Sequence, residues 1–181
     1  GTLSALLQPG DTVLSDRLNH ASIIDGCRLS GAHIAIFSHG NVSEVERLIQ
    51  TAQGRVLIVT DSVFSMDGDL APLGSLCALA KQHGALLMVD EAHATGVLGA
   101  GAIAQCGLSG QVDVVMGTCS KALGSLGGFV AGSRLLCDHL RQRARTFFFD
   151  TALPPPVVAA TLAALDVIEN EPRHGQRVLA H

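Results

Sequence analysis

Short apolar runs alternate along the chain with longer stretches of helical hydrophobic pattern. The runs are rich in β-branched residues and nearly continuous in apolar content, which is typical of strands covered on both faces. They predict six strands, at 12–15, 33–37, 55–60, 85–90, 112–117 and 128–132. The longer stretches predict helices over 41–53, 72–84, 135–145 and 156–170. Because strands and helices alternate, we predict an α/β fold with a mostly parallel sheet and helices on both faces.

Local signals place two helix ends. Asn41 is predicted to be an N-cap that forms a capping box with Glu44, three residues further on. Gly84 is predicted to be a C-cap. The prolines at 154–156 mark a break before the last predicted helix.

Composition narrows the classes of partner. Apolar residues make up 48% of the 181 residues, which is enough for a sizeable core in one large domain. The formal charge is −4 and Lys and Arg are not clustered, so nucleic acid is excluded as the expected partner. The longest apolar stretch contains three prolines and Asp166, so no membrane span is predicted. The five cysteines form no C-x-x-C pair, so we expect neither a disulfide framework nor a zinc site, and a cytoplasmic location.

Polar and titratable residues follow four of the predicted strands. In parallel sheets, ligands bind outside the carboxyl ends of the strands. The first, third, fourth and fifth predicted strands are followed by SDRLNHAS (15–22), DSVFSMDGD (61–69), DEAHATG (90–96) and TCSKALG (118–124). These segments carry more chemistry than connecting loops need, so they predict a ligand site at that edge of the sheet.

Lys121 is one of two lysines in the chain and lies in a Ser/Gly-rich turn. Near a buried sheet, a lysine amine loses part of its hydration and becomes a usable nucleophile. The alternative is a solvated lysine at the start of a helix. Its neighbours include hydroxyls and glycines suited to a phosphate group. They are Thr118, Ser120, Gly124, Gly127 and Gly128.

Four further residues are candidates for the same ligand. Asp90 ends an apolar run, where its carboxylate either faces a protonated ring nitrogen or caps the following turn. His93 is placed to bond a second ligand atom. His20 either stacks on a planar ligand or precedes a helix that starts near Ala21. The Ser65 hydroxyl is a candidate to reach the same ligand.

Three rival motifs are weak. DEAH at 90–93 matches the acidic box of a helicase family of NTPases, but the chain has no Gly-Lys pair and so no phosphate-binding loop. GAGAIA at 99–104 matches a dinucleotide fingerprint but follows a turn and lacks the acidic residue expected about 20 positions later. The histidines show no H-x-x-x-H spacing, so no metal site is predicted.

Together, DRLNHASIIDG, DSVFSMDGDLAPL, VDEAHATGVLG and GTCSKALGSLGG resemble the α-oxoamine synthases. These are pyridoxal 5′-phosphate (PLP) enzymes of the aspartate-aminotransferase fold type. The resemblance covers most of the chain, with the four segments in order. It implies PLP as cofactor and the large domain of fold type I PLP-dependent transferases. DEAHATGVLG is most similar to the branch of the family that acts in biotin synthesis.

The resemblance assigns catalytic roles to four residues. Lys121 matches the lysine that carries PLP as a Schiff base, and Asp90 matches the partner of the pyridine nitrogen. His93 matches a group near the phenolic oxygen of the cofactor. His20 matches the histidine that stacks on the ring.

The resemblance also assigns three further contacts. Ser65 matches a second group near the phenolic oxygen, and Thr118 matches a phosphate contact. Thr151 matches a residue that reaches the phosphate of the neighbouring subunit's cofactor, so a homodimer with shared active sites is implied.

The implied reaction is the decarboxylative condensation of L-alanine with a pimeloyl thioester of coenzyme A or acyl carrier protein. Condensation of glycine with acetyl-CoA, or the reaction of another α-oxoamine synthase, is the alternative. A non-catalytic partner subunit would be expected to lack Lys121. Family members are about twice this length, so we expect residues 1–181 to be the central part of the PLP-binding large domain, without the N-terminal segment and the C-terminal small domain.

Overall fold

Six strands form one sheet in the computed structural model, which describes all 181 residues. The strands are β1 Thr12–Asp16, β2 His33–Phe37, β3 Val56–Asp61, β4 Leu86–Asp90, β5 Val114–Thr118 and β6 Gly128–Gly132. Each lies within two residues of its predicted position. Their order across the sheet is β2-β1-β3-β4-β5-β6, so β3 and β4 are central.

Helices occupy most of the connections. They are α1 Thr2–Leu6, α2 Ala21–Ser30, α3 Val42–Thr51, α4 Leu73–His83, α5 Ala102–Gln105, α6 Arg134–Arg143, α7 Arg145–Phe148, α8 Pro155–Asn170 and α9 Arg173–Leu179. The four predicted helices correspond to α3, α4, α6 and α8. Helix α2 begins at Ala21, where the alternative for His20 placed a helix start, and the short helices α1, α5, α7 and α9 were not predicted, because few turns give little periodic signal. None of the helices is long and apolar enough to span a bilayer.

The first five strands are parallel and β6 is antiparallel to β5. The mostly parallel sheet is therefore confirmed. The reversal at β6 has a simple cause, because residues 119–127 between β5 and β6 contain no helix. A parallel connection needs a crossover of about a dozen residues or more.

The core lies on both faces of the sheet, as the continuous apolar runs predicted. Neighbouring residues of one strand face opposite ways, so Val13 and Leu14 enter different core clusters, as do Leu57 and Ile58. Helices α3, α4 and α5 cover one face, and α1 and α2 cover the other. The faces of the central strands β1, β3 and β4 are therefore filled by the core, and the ends of these strands stay open to a ligand.

The predicted caps are present, with one difference. Asn41 Oδ1 accepts the N–H of Glu44 at 3.1 Å, and Gly84 ends α4 with a φ of +63°. The Glu44 carboxylate does not close a capping box on Asn41. Instead it accepts the N–H of Ser38 at 2.8 Å, because the Asn41 N–H is already bonded to the Ser38 carbonyl.

Candidate active site

A cavity of about 470 Å³ opens at the carboxyl edge of the sheet. Six of the seven predicted site residues line it. They are His20, Ser65, Asp90, His93, Thr118 and Lys121. Two other cavities, of about 530 and 480 Å³, contain none of these residues, so chemistry rather than volume identifies the site.

The strand ends bring these residues together. β3 and β4 pair in register so that Asp61 lies beside Asp90 at the last position of each strand. β5 ends at Thr118, three residues before Lys121. The parallel arrangement therefore delivers acidic, hydroxyl and amine groups to one edge.

The sequence left two roles open for Asp90, and the structure shows the contact expected of one of them. Its Oδ1 accepts the N–H of Ala92 at 2.8 Å, so it does cap the following turn. Its Oδ2 has no hydrogen bond within the chain, and the residue lines the cavity while only 4% exposed. Burial raises the pKa of the Asp90 carboxyl, although the Ala92 N–H and the charge of Lys121 act against it. A cationic ligand group facing Oδ2 would favour the ionised form.

The two imidazoles of the cavity differ in how they are held. His20 is the N-cap of α2, with Nδ1 accepting the N–H of Ser22 at 3.2 Å and lying 2.9 Å from the Ser22 hydroxyl. The helix-start alternative is therefore confirmed, while the ring is exposed and lines the cavity, so its ligand role stays a prediction. Burial, followed by the positive charge of Lys121, lowers the pKa of His93. His93 is therefore predominantly neutral at pH 7 and keeps one ring N–H as donor.

Lys121 is exposed, as the alternative expected, but it lies in the turn between β5 and β6, so only the predicted helix start is wrong. The segment has no helix because it folds back at once into the antiparallel strand. The Thr118 hydroxyl donates to the Gly127 carbonyl at 3.1 Å and lies 2.7 Å from the Ser120 hydroxyl. Gly127 has a φ of +99°, which few other residues adopt. The hydroxyls of Thr118 and Ser120 and the backbone at Gly127 therefore lie on the same side of the cavity as the Lys121 amine.

Asp61 lines the cavity and was not singled out from the sequence. Burial, followed by the charge of Asp90, raises the pKa of Asp61 to about 6. The sequence did carry a signal, because Asp61 ends its apolar run as Asp90 does. The register that sets the two carboxylates side by side comes only with the structure.

The hydrogen bonds of Glu91 give residues of two rival motifs, DEAH and GAGAIA, a structural role. Its buried carboxylate accepts the N–H groups of Ala102 at 2.8 Å and Ile103 at 3.0 Å, at the start of α5. The Glu91 carboxylate of the DEAH motif is therefore hydrogen-bonded within the fold and is not free to bind magnesium or water. The N–H groups that follow GAG in GAGAIA are occupied by the same carboxylate.

A third histidine, His39, joins segments near the carboxyl ends of β1, β2 and β3. His39 Nδ1 lies 3.0 Å from Asp16 Oδ1, and its Nε2 lies 2.6 Å from Asp69 Oδ2. Burial alone would lower the pKa of His39, but the hydrogen bonds to Asp69 and Asp16 raise it above its usual value. These contacts join the segments after β1, β2 and β3, including the turn that carries Ser65.

Thr151 is the predicted residue that does not line the cavity. It is exposed in the segment before α8, where its N–H donates to Asp150 Oδ1 at 2.8 Å. Its expected target is the site of a neighbouring subunit, so its role stays a prediction.

The fold and the site define an α/β protein with a cavity lined by titratable and hydroxyl side chains at the carboxyl edge of its sheet. The chain belongs to the aminotransferase class I and II family, whose model matches residues 1–181. It is similar to 8-amino-7-oxononanoate synthase of Marinobacter nauticus, with 51% identity over 94% of this chain and 44% of the relative. With 8-amino-7-oxononanoate synthase 1 of Bacillus subtilis the identity is 49%, over 98% of this chain and 47% of the relative.

Solved structures agree with the fold. A serine palmitoyltransferase from S. paucimobilis, solved with a bound PLP–myriocin aldimine, matches with a TM-score of 0.94 and 36% identity, over 99% of this chain and 46% of that one. The 8-amino-7-oxononanoate synthase of Francisella tularensis matches with a TM-score of 0.82 and 32% identity, over 97% and 52%. The predicted fold type is therefore confirmed. The chain spans about half the length of the curated relatives it matches.

Proposed function

We propose that residues 1–181 form the central part of a PLP-dependent α-oxoamine synthase that makes 8-amino-7-oxononanoate. The observation that carries this proposal is the cavity that holds the Lys121 amine and the buried Asp90 carboxylate together. Relatives about half identical to this chain and named for that product support the choice of reaction.

The donor set of the cavity fits PLP. A primary amine suits its aldehyde, and a buried carboxylate with one oxygen unbonded suits a protonated ring nitrogen. Thr118, Ser120 and the nearby glycines suit its phosphate. The volume of about 470 Å³ lies in the range of about 300–1,000 Å³ typical of cofactor and ligand sites.

Each side chain then has a definite task. Lys121 would hold the cofactor through its amine and would take or return a proton at the substrate's Cα. Asp90 would keep a proton on the ring nitrogen, because a cation beside a carboxylate favours its ionised form. His20 would hold the ring by stacking, and His93 and Ser65 would bond the phenolic oxygen. Bound PLP would supply an electron sink for the electrons left at Cα.

The proposed substrates are L-alanine and a pimeloyl thioester of coenzyme A or acyl carrier protein. The new carbon–carbon bond forms at the thioester carbonyl as the C–S bond breaks and the carrier leaves as its thiol, and loss of the substrate carboxylate as carbon dioxide gives 8-amino-7-oxononanoate. We further propose a homodimer in which Thr151 reaches the phosphate in the partner's site. The N-terminal segment and the small domain of such an enzyme lie outside residues 1–181.

A second α-oxoamine synthase activity has one observation in its favour. Serine palmitoyltransferase structures match with a TM-score of 0.94, higher than the 0.82 for the 8-amino-7-oxononanoate synthase of Francisella tularensis. Backbone likeness does not choose a substrate, and identities of 51% against 36% favour 8-amino-7-oxononanoate synthesis.

The first experiment tests the cofactor and its attachment. The full-length protein mixed with PLP should show a visible absorption band, and borohydride should fix the cofactor on Lys121. Lys121→Ala should lose both the band and the label, whereas the control Lys81→Ala, which removes the other lysine, should keep them. Label on Lys81, or none, contradicts the proposal.

The second experiment tests the substrates. Alanine, glycine and serine compete with each other in the presence of pimeloyl, acetyl or long-chain acyl thioesters, and the products are identified by mass. We expect alanine with a pimeloyl thioester to dominate. A marked preference for glycine with acetyl-CoA, or for serine with a long-chain thioester, would assign the enzyme to another member of the family.

A further inference from the structure

A chain of buried hydrogen bonds runs beneath the cavity between β1 and β3. Asn19 Nδ2 donates to Ser15 Oγ at 2.9 Å and to the Val59 carbonyl at 2.8 Å. Asn19 Oδ1 accepts the N–H of Asp61 at 3.0 Å. Asn19 and Asp61 are only 4% and 6% exposed, so this part of the network is fixed by packing.

Asp61 extends this chain to the floor of the cavity. Its Oδ2 accepts the backbone N–H of His20 at 2.9 Å. The ring of His20 is otherwise held only by Ser22, at its Nδ1. The backbone that carries the exposed imidazole is therefore held by the start of α2 and by the contact between the backbone N–H of His20 and a buried carboxylate.

We propose that Asp61 is a positioning residue: by accepting the His20 N–H, it holds the imidazole where it stacks on the pyridine ring of PLP. This inference rests on the proposed function, since it assumes that PLP occupies the cavity. The cofactor contacts proposed above do not involve the Asp61 carboxylate, although it lines the cavity, and this inference assigns a role to it. Asp61 touches no reacting atom in this account and acts through His20 alone.

The test measures PLP affinity in the full-length protein by titration of the visible band. Ring stacking contributes up to about 1.4 kcal/mol, and we expect Asp61→Ala to weaken PLP binding by up to about tenfold. Asp61→Asn keeps an acceptor for the His20 N–H and should stay within about threefold of the wild type. The circular dichroism of the cofactor band, which reports ring orientation, should fall in Asp61→Ala and return in Asp61→Asn.

A double-mutant cycle separates positioning from a general structural effect. His20→Ala removes the ring that Asp61 positions, so adding Asp61→Ala to it should weaken PLP binding no further. The matched control is Asp67→Ala, in the exposed turn after β3, whose carboxylate makes no hydrogen bond and does not line the cavity. It should bind PLP as the wild type does. If Asp61→Ala does not fold, the nearly isosteric Asp61→Leu replaces it.

Several results would overturn the inference. These are wild-type affinity in Asp61→Ala, independent effects of the two substitutions in the double variant, or equal damage from Asp61→Asn and Asp61→Ala. Failure of the proposed function looks different. In that case the wild type itself takes no borohydride label at Lys121, whereas failure of this inference alone leaves the wild-type label intact.

Discussion

Asp11 at the amino edge of the sheet and Asp61 and Asp90 at the carboxyl edge differ in how fully their carboxylates are hydrogen-bonded within the chain. At the amino edge, just before β1, both oxygens of Asp11 are occupied by the N–H groups of Gln8 and Arg55 and by the Arg55 guanidinium, which lies 2.7 Å away. At the carboxyl edge, Asp61 and Asp90 each accept one backbone N–H and leave the other oxygen without a partner in the chain.

This difference appears in the acidity of the groups. The hydrogen bond from Arg55 holds the pKa of Asp11 below its usual value. Burial instead raises the pKa of Asp61 and Asp90, because no cation inside the chain fully compensates it. A buried carboxylate that the fold has not fully satisfied is a candidate for binding something else. Asp11 at the amino edge therefore stabilises the fold, whereas Asp61 and Asp90 at the carboxyl edge each keep an oxygen available for a ligand.

The largest expected effect is the loss of activity in Asp90→Asn. The amide keeps the Ala92 N–H bond but cannot hold a proton on the ring nitrogen by its charge, so we expect kcat/KM to fall by about 10²–10³. Stability should not fall, because a buried charge is removed. The matched control is Asp113→Asn, which precedes β5 at the amino edge and accepts the Leu87 N–H at 2.8 Å. Equal activity loss in both variants would erase the distinction between the edges.

Glu91→Ala shows that bonding, rather than position, defines the two kinds of carboxylate. Glu91 lies at the carboxyl edge next to Asp90, yet both its oxygens are used by α5. Its removal leaves two buried N–H groups without partners, so we expect a loss of about 3 kcal/mol in the free energy of unfolding, measured with urea. An unchanged free energy of unfolding, with loss of PLP binding alone, would instead place Glu91 in the site.

At the amino edge, Asp11→Ala should lower the free energy of unfolding by about 2 kcal/mol at pH 7. Because the folded-state pKa of Asp11 is depressed, its contribution is present above the unfolded pKa of about 3.9 and is lost as pH falls through the folded value. The gap to the wild type should therefore shrink below pH 4. The control Asp25→Ala breaks an exposed pair with Arg28 and should cost less than about 0.5 kcal/mol. A gap that widens in acid would contradict this account.

The sequence predicted the carboxyl edge well because two signals coincide there. Continuous apolar runs mark the strands, and residues such as Asp90 and Lys121 follow them directly. In a parallel sheet, chain order then implies spatial proximity. Six predicted residues consequently line one cavity, although nothing in the sequence says how far apart they are.

What the sequence missed depends on contacts between distant segments. The partner of Glu91 lies 11 residues later, and the role of Asp61 needs the β3–β4 register together with Asn19. The reversal of β6 follows from a connection without a helix, which the Gly-rich turn left open. The hydrophobic pattern specifies the secondary-structure elements and their buried faces. The features that the sequence missed depend instead on specific hydrogen bonds and strand pairings between distant segments.

The smallest expected effect is the change in stability caused by Asp61→Asn, and its sign tests the comparison between carboxylates that the fold satisfies and those that it does not. The pKa of Asp61 is raised to about 6, so the folded protein binds this proton more tightly than the unfolded chain. Without cofactor, stability should therefore fall as pH rises from about 4 to about 6 and stay lower above that range. Asp61→Asn removes the charge, so its free energy of unfolding should exceed that of the wild type by about 1 kcal/mol at pH 8, with little difference at pH 4. The control for this prediction is Asp16→Asn, which alters a carboxylate bonded to Leu18, His39 and Gly40 and should lose stability at pH 8. If Asp61→Asn also lost stability at pH 8, the carboxylates of Asp16 and Asp61 would both stabilise the fold. The carboxyl edge would then hold one unsatisfied acid, Asp90, instead of two.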